Sequence, residues 1–242
     1  MSRYIPLFDY FVFNGKSSLD FRCKMASGNE TFISAQRDIE SVEVPGRSGN
    51  LTIDNKRFRN VTIPYECFIV ENFNENLRSL VEWLMQSPGY LRLEDTYHPN
   101  EFRMARYVGP LDPKVTFAEE GSFTLDFDCQ PQRWLTIGEK PVAVSAGSSV
   151  KLKNPTRQKA LPKILVAGTG TFSVGSNTAT LSANNGSTVV DSEIMDTYEG
   201  ATNRNGNISF SAGKYPELPA GDTTIAAGSG VSLIVFPRWW TL

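Results

Sequence analysis

A single histidine, three cysteines, no long apolar run and almost no excess of either charge: these shortages bound what the 242-residue chain can be. One histidine, His98, cannot by itself complete a His-containing metal cluster. It lies in a turn beside Pro99, which reads as a solvated loop position and not as the rigid cleft a Ser-His-Asp triad needs. The cysteines Cys23, Cys67 and Cys129 lack CxxC spacing, so a zinc site is not indicated. An odd, sparse set in strand-like surroundings reads as buried reduced thiols, with synthesis in a cytoplasm and stability drawn from packing. The sequons at Asn29, Asn60, Asn185 and Asn207 carry no meaning without export. The opening segment has one early Arg but also Pro6 and Asp9, and does not read as a signal peptide. No stretch approaches the roughly 20 apolar residues that span a bilayer. Net charge is −2. Residues 1–135 hold 15 basic and 19 acidic side chains and residues 136–242 hold 9 and 7, so neither half can neutralise a row of phosphates.

What is present is alternation. In Gly121 to Leu135, Phe123, Leu125, Phe127 and Cys129 point one way and Thr124, Asp126 and Asp128 the other, the period of a half-buried strand. Pro131 ends it. Before this seam the chain is charged and aromatic; after it, Gly, Asn, Ser and Thr dominate. The division expected is a first domain over 1–138, a connector over 139–150 and a second domain over 151–242.

In the first part, Phe11–Phe13 precedes Asn14-Gly15, a pair suited to a tight hairpin turn, with Leu19–Lys24 as the returning strand. Residues 36–44 alternate, Val42 and Val44 on one side and Ser41 and Glu43 on the other, and Pro45-Gly46-Arg47 opens a Gly-rich turn before Leu51. A strand comes next over 61–70, where Pro64 marks an edge or a bend. Residues 73–85 form the one convincing helix: Leu77, Leu80, Val81 and Leu84 make an apolar stripe, Asn74 can cap the start, Glu75 suits the dipole, and Ser87-Pro88-Gly89 stops it. Such a stripe needs a sheet to lie on. Strands are expected over 90–94 and 102–108, and Val115–Phe117 is expected to pair with Phe123–Cys129 across Glu119-Glu120. The second part reads as short strands near residues 164, 172, 178, 188, 208, 223 and 231, separated by Gly and Asn turns, hence a β-sandwich or jelly roll.

No residue set converges on catalysis. Pro45 to Asn50 is Gly-rich but lacks the GxxxxGK[ST] pattern of a phosphate cradle. Adjacent carboxylates such as Glu94-Asp95 point to opposite faces of a strand, and those in turns, such as Glu119-Glu120, are solvated. The expectation is no enzyme, no cofactor and no metal. Two candidate sites remain: Pro45, Gly46 and Arg47 as an assembly loop, and Trp239 and Trp240 as a carbohydrate contact, one of which should plug the core if the chain there is extended.

Several stretches, in order, carry a resemblance: FNGKSS (13–18), DIESVEVPGRSGNL (38–51), GYLRLEDTYHP (89–99), FRMARYVGPLD (102–112) and GSFTLDFDCQPQRWL (121–135), then NPT (154–156), DSEIMDTYEG (191–200), YPELPAGDTTI (215–225) and PRWWTL (237–242). Together they resemble the distal tail protein (Dit) family of long-tailed bacteriophages, departing at Tyr215, where the family pattern often has Phe. The resemblance implies a mainly β chain. Its N-terminal antiparallel domain, with one covering helix, would form the ring. Its C-terminal sandwich would be galectin-like or carbohydrate-binding-module-like. It implies a virion structural protein at the tail tip, made in the host bacterial cytoplasm, and a homohexameric ring, single or stacked, that joins the tail tube to the adsorption apparatus. Implied partners are the tail tube protein, a tail-associated tip protein and receptor-binding or baseplate proteins, with DNA only passing through the channel. The alternative is a carbohydrate-binding module that attaches the particle to host cell-wall saccharide.

Overall fold

In a computed structural model, the structure describes residues 8–27, 33–117, 120–183 and 186–242. Asn29, Glu119 and Asn185 lie outside the described residues. The chain divides into two compact units, one up to Arg133 and the other over Trp134–Thr241.

In the first unit, β1 (Phe11–Phe13) turns through Asn14 and Gly15, both at positive φ, and returns as β2 (Lys16–Ser17). The expected strand over Leu19–Lys24 is instead a 3-10 turn, Ser18–Phe21, ahead of β3 (Lys24–Met25). Ser17 Oγ accepts from Leu19 N–H and Arg22 adopts the left-handed conformation, so local capping wins over β propensity. Next in the chain are β4 (Arg37–Val42), β5 (Leu51–Phe58), β6 (Val61–Ile69), α1 (Phe73–Leu84), β7 (Leu91–Asp95), β8 (Glu101–Tyr107), β9 (Lys114–Phe117) and β10 (Glu120–Cys129). The main sheet runs β2-β1-β7-β8-β10-β6-β3. β10 and β6 pair from Gly121↔Ile69 to Cys129↔Val61, which brings Phe123, Leu125, Phe127 and Cys129 together with Val61, Ile63, Tyr65, Cys67 and Ile69 on the buried face. β9 pairs only with the first residues of β10, Glu120 to Ser122, and not with Phe123–Cys129 as expected. The long apolar half of β10 is already flanked by β6 and, at its end, by β8.

The helix lies on that face and buries Phe73, Leu80, Trp83 and Leu84, with Leu77 partly covered. Two expectations fail here. The N-cap position is Asn72, in the left-handed conformation, and not Asn74; its carbonyl accepts the first helical hydrogen bond, from Asn76 N–H at 3.1 Å, and no side chain caps the start. Trp83, absent from the expected stripe, is the aromatic hub of the core: its ring stacks on Phe21 at 4.8 Å and on Phe11 at 6.1 Å, with Phe13 edge-on at 6.0 Å. Gly121 has no Cβ because Phe73 occupies the space; an added Cβ would stand 2.4 Å from its ring.

β11 (Arg133–Leu135) crosses the boundary between the units. The second unit then holds β12 (Val142–Val144), β13 (Ser149–Asn154), β14 (Lys163–Gly168), β15 (Gly170–Val174), β16 (Asn177–Leu181), β17 (Ser187–Asp191), β18 (Asp196–Glu199), β19 (Thr202–Asn203), β20 (Ile208–Phe210), β21 (Gly221–Ala227), β22 (Val231–Phe236) and β23 (Trp240–Thr241). It is a two-sheet sandwich, β12-β22-β14-β17-β18-β19 facing β13-β21-β15-β16-β20, and neighbouring strands within each sheet run antiparallel. The run 139–150, read as a connector, contains β12 and the start of β13; their partners β22 and β21 come from the end of the chain, so no local pattern announces them.

Candidate assembly surface

Among the described residues, β4 and β5 pair with each other and with no other strand. Over the 23 residues from Arg37 to Arg59 only Asp38 is buried and only Phe58 is half-buried. They form an arm that stands clear of its own core. Opposite pairs in an antiparallel ladder share a face, so Val42↔Leu51 and Glu40↔Ile53 lie on one side, and Ser41↔Thr52 and Ile39↔Asp54 on the other. The alternation expected for this segment is present, but it sorts residues between two solvent-facing sides. Ile39, Val42, Val44, Leu51 and Ile53 are each between 39% and 45% exposed, a set of large apolar side chains that the protomer leaves uncovered.

The tip carries the predicted assembly residues. Val44 C=O accepts from Arg47 N–H at 3.1 Å, enclosing Pro45 and Gly46, and Gly46 has φ +81°. Proline first and a positive-φ glycine second is the chemistry of a type II turn. The Arg47 side chain is exposed. At the root the ladder slips between Arg37 and Ile39, and Lys56, at φ +56°, forms a bulge whose N–H donates to Asp54 Oδ1 at 2.8 Å. Asp38 sits opposite. Its two oxygens accept from Arg57 Nε at 2.7 Å and Arg59 Nε at 2.8 Å. These two guanidinium hydrogen bonds hold its carboxyl below the usual aspartate range. Arg37 reaches Asp54 at 2.7 Å. A bulge bends a strand and re-aims the residues beyond it; here a buried carboxylate clasped by two arginines fixes that bend. Sequence reasoning missed Asp38. The signal available was a charged residue at an inward-parity position with two arginines across the turn.

The second predicted site is split. Trp239 is 5% exposed and belongs to the sandwich core, against Gly138, where an added Cβ would stand 2.4 Å from Trp239 N. Trp240 is half-buried and donates its indole N–H to Lys159 C=O at 3.0 Å. Of the two, Trp240 alone retains surface. The strand that ends here is fastened by Arg238, which grips the buried Asp191 at 2.6 and 2.9 Å and Glu193 at 3.1 Å.

His98 is half-buried and not a freely solvated loop residue: its ring nitrogen lies 3.1 Å from Asp95, whose other oxygen accepts from Tyr65 O–H at 2.6 Å. The three thiols are free and buried, and burial pushes Cys129 up to about 12. Among the described residues no group of three or more His, Cys, Asp or Glu is placed to hold a metal ion, and no helix is long and apolar enough to cross a membrane.

No known family's sequence pattern matches this chain, and no curated protein sequence does. The fold is matched. It is similar to the crystal structure of the SPP1 Dit (gp 19.1) protein, described as a paradigm of the hub adsorption apparatus in phages infecting Gram-positive bacteria. The TM-score is 0.69 at 14% identity, covering 97% of this chain and 99% of that one. At that identity the likeness shows a shared fold.

Proposed function

We propose that this chain is a structural protein of a phage tail tip, acting by shape and not by catalysis. Its ring, six copies of the first unit, would join the tail tube to the adsorption apparatus. The observation that carries the reading is the likeness to a hub protein across both units and nearly the whole length of both chains. The unpaired arm supports it, because a ring needs a patch and a counter-patch that meet on rotation. Its partners would be further copies of the chain, in one ring or in stacked rings, the tail tube protein, a tail-associated tip protein and receptor-binding or baseplate proteins. DNA would pass through without docking, since the first half carries more acid than base. Strong binding of duplex DNA at moderate salt would oppose that part.

The test is mass in solution. Native mass spectrometry across a concentration series should find a species about six times 26.8 kDa. A protein that stays at 26.8 kDa at the highest concentration reached would count against the ring. The wall-binding reading keeps one anchor, the half-exposed Trp240. It requires that the full chain bind wall saccharide and that Trp240→Ala abolish the binding.

A further inference from the structure

We propose that a recess of the first unit, centred on Arg103, binds one carboxylate. This goes beyond the assembly reading and stands or falls apart from it. Arg103 is on β8 at an inward position. Leu93 pairs with it on β7 and with Phe13 on β1, and both of these are buried; Ala105 and Tyr107, further along the same side of β8, are buried too. Strand geometry therefore sends a guanidinium toward the core, where it ends half-buried. Among the described residues six arginines are buried or half-buried. Five of them have a carboxylate: Arg92 has Glu94, Arg106 has Asp128, Arg133 has Glu101, Arg204 has Glu199 and Arg238 has Asp191. Arg103 has neither an ion pair nor a hydrogen bond to a described residue. Burial pushes its pKa below the ordinary arginine range, as expected of a cation that has lost water without gaining a close anion.

The carboxylates nearby are committed elsewhere. Asp95 accepts from Tyr65 O–H at 2.6 Å and from His98 N–H at 2.7 Å, and Glu101 holds Arg133. The lining charges balance, Arg103 and Arg133 against Asp95 and Glu101, so the recess does not repel an anion as a purely acidic pocket would. Two small hollows border the guanidinium, of about 10 and 20 Å³, and both are lined by Tyr65, Asp95, His98 and Arg103. Each has room for about one water-sized atom group. That excludes a sugar or a nucleotide. Two such hollows on one planar fork match the two oxygens of a planar carboxylate, which arginine holds through paired N–H groups; a tetrahedral oxyanion has no place for its remaining oxygens.

The experiment is an NMR titration of the isotope-labelled full chain with sodium acetate, with glutamate capped at both ends, with sodium phosphate and with sodium chloride. The readout is the Arg103 Nε–H resonance, with the exposed Arg47 as internal control. The expected result is a saturating Arg103 shift with acetate at about tenfold lower concentration than with phosphate or chloride, while Arg47 drifts without saturating. Arg103→Lys keeps the charge and loses the fork, so the same titration read on the His98 backbone N–H should need about tenfold more acetate. Saturation by capped glutamate as well identifies a protein side chain as the source of the carboxylate, and saturation by acetate alone identifies a free small acid; either result upholds the site. No saturation with either carboxylate means that water alone fills the recess, and overturns it. Phosphate or chloride binding as tightly as acetate overturns it too, as does an acetate affinity unchanged in Arg103→Lys.

Discussion

Three residues do work that their neighbours cannot. Gly121 lets β10 pass under Phe73: its φ is unremarkable, so the requirement is space alone, and an added methyl would meet three atoms of a ring that is itself 1% exposed. Gly121→Ala should therefore cost about 1–3 kcal/mol, the range for overpacking a filled core, in a urea melt; a neutral result would mean the Phe73 ring has room to move. Arg238 matters because Asp191 is buried and takes two of its N–H groups. Asp38 links chemistry to pH. Its folded pKa is depressed, so the clasp contributes stability that is fully present above the unfolded value, about 3.9, and is lost as pH falls through the folded value. Between pH 5 and 8 the arm's root should not respond. NMR titration of the Asp38 carboxyl carbon should give a midpoint below about 3.9; a midpoint at or above it would remove the clasp.

At the scale of elements, the helix and the arm are opposites. The helix is amphipathic and covered. Val81 and Trp83 flank the Leu80–Leu84 stripe at comparable angles, given about 100° per residue, so periodicity cannot choose between them. Phe11, Phe13 and Phe21 wait on one side only, and the indole goes there. The arm has strand periodicity and no core. The contrast is measurable. Leu80→Ala should destabilise the first unit by about 2–5 kcal/mol. Replacing residues 40–53 by a two-residue Asn-Gly turn should change its unfolding free energy by less than about 0.5 kcal/mol while lowering assembly. Equal losses from both would place the arm in the protomer's own core.

For the molecule as a whole, two separate hydrophobic clusters, one under the helix and one inside the sandwich, supply stability while all three cysteines stay free. A phage whose tail tip forms normally without this protein would rule out the tail-tip role, and hydrolysis of wall polymer by the pure protein would add a chemistry the proposed role does not contain.

Side-chain parity was legible along the chain. Phe123, Leu125, Phe127 and Cys129 are inward because consecutive residues of a strand must alternate, and Asn14-Gly15 turns because both residues tolerate positive φ. Leu80 and Leu84 share a face through helical geometry alone. These are properties of a few neighbouring residues. Which strand lies beside which is not: β12 and β13 exist because β22 and β21, far along the chain, offer free edges, and the strand expected over Leu19–Lys24 opens as a 3-10 turn, Ser18–Phe21, under local capping. The same limit governs the candidate surface. Alternation in residues 37–42 placed Val42 and Ser41 on opposite sides, but burial is a property of what lies above a face, and only the assembled fold shows that the protomer leaves both sides to solvent.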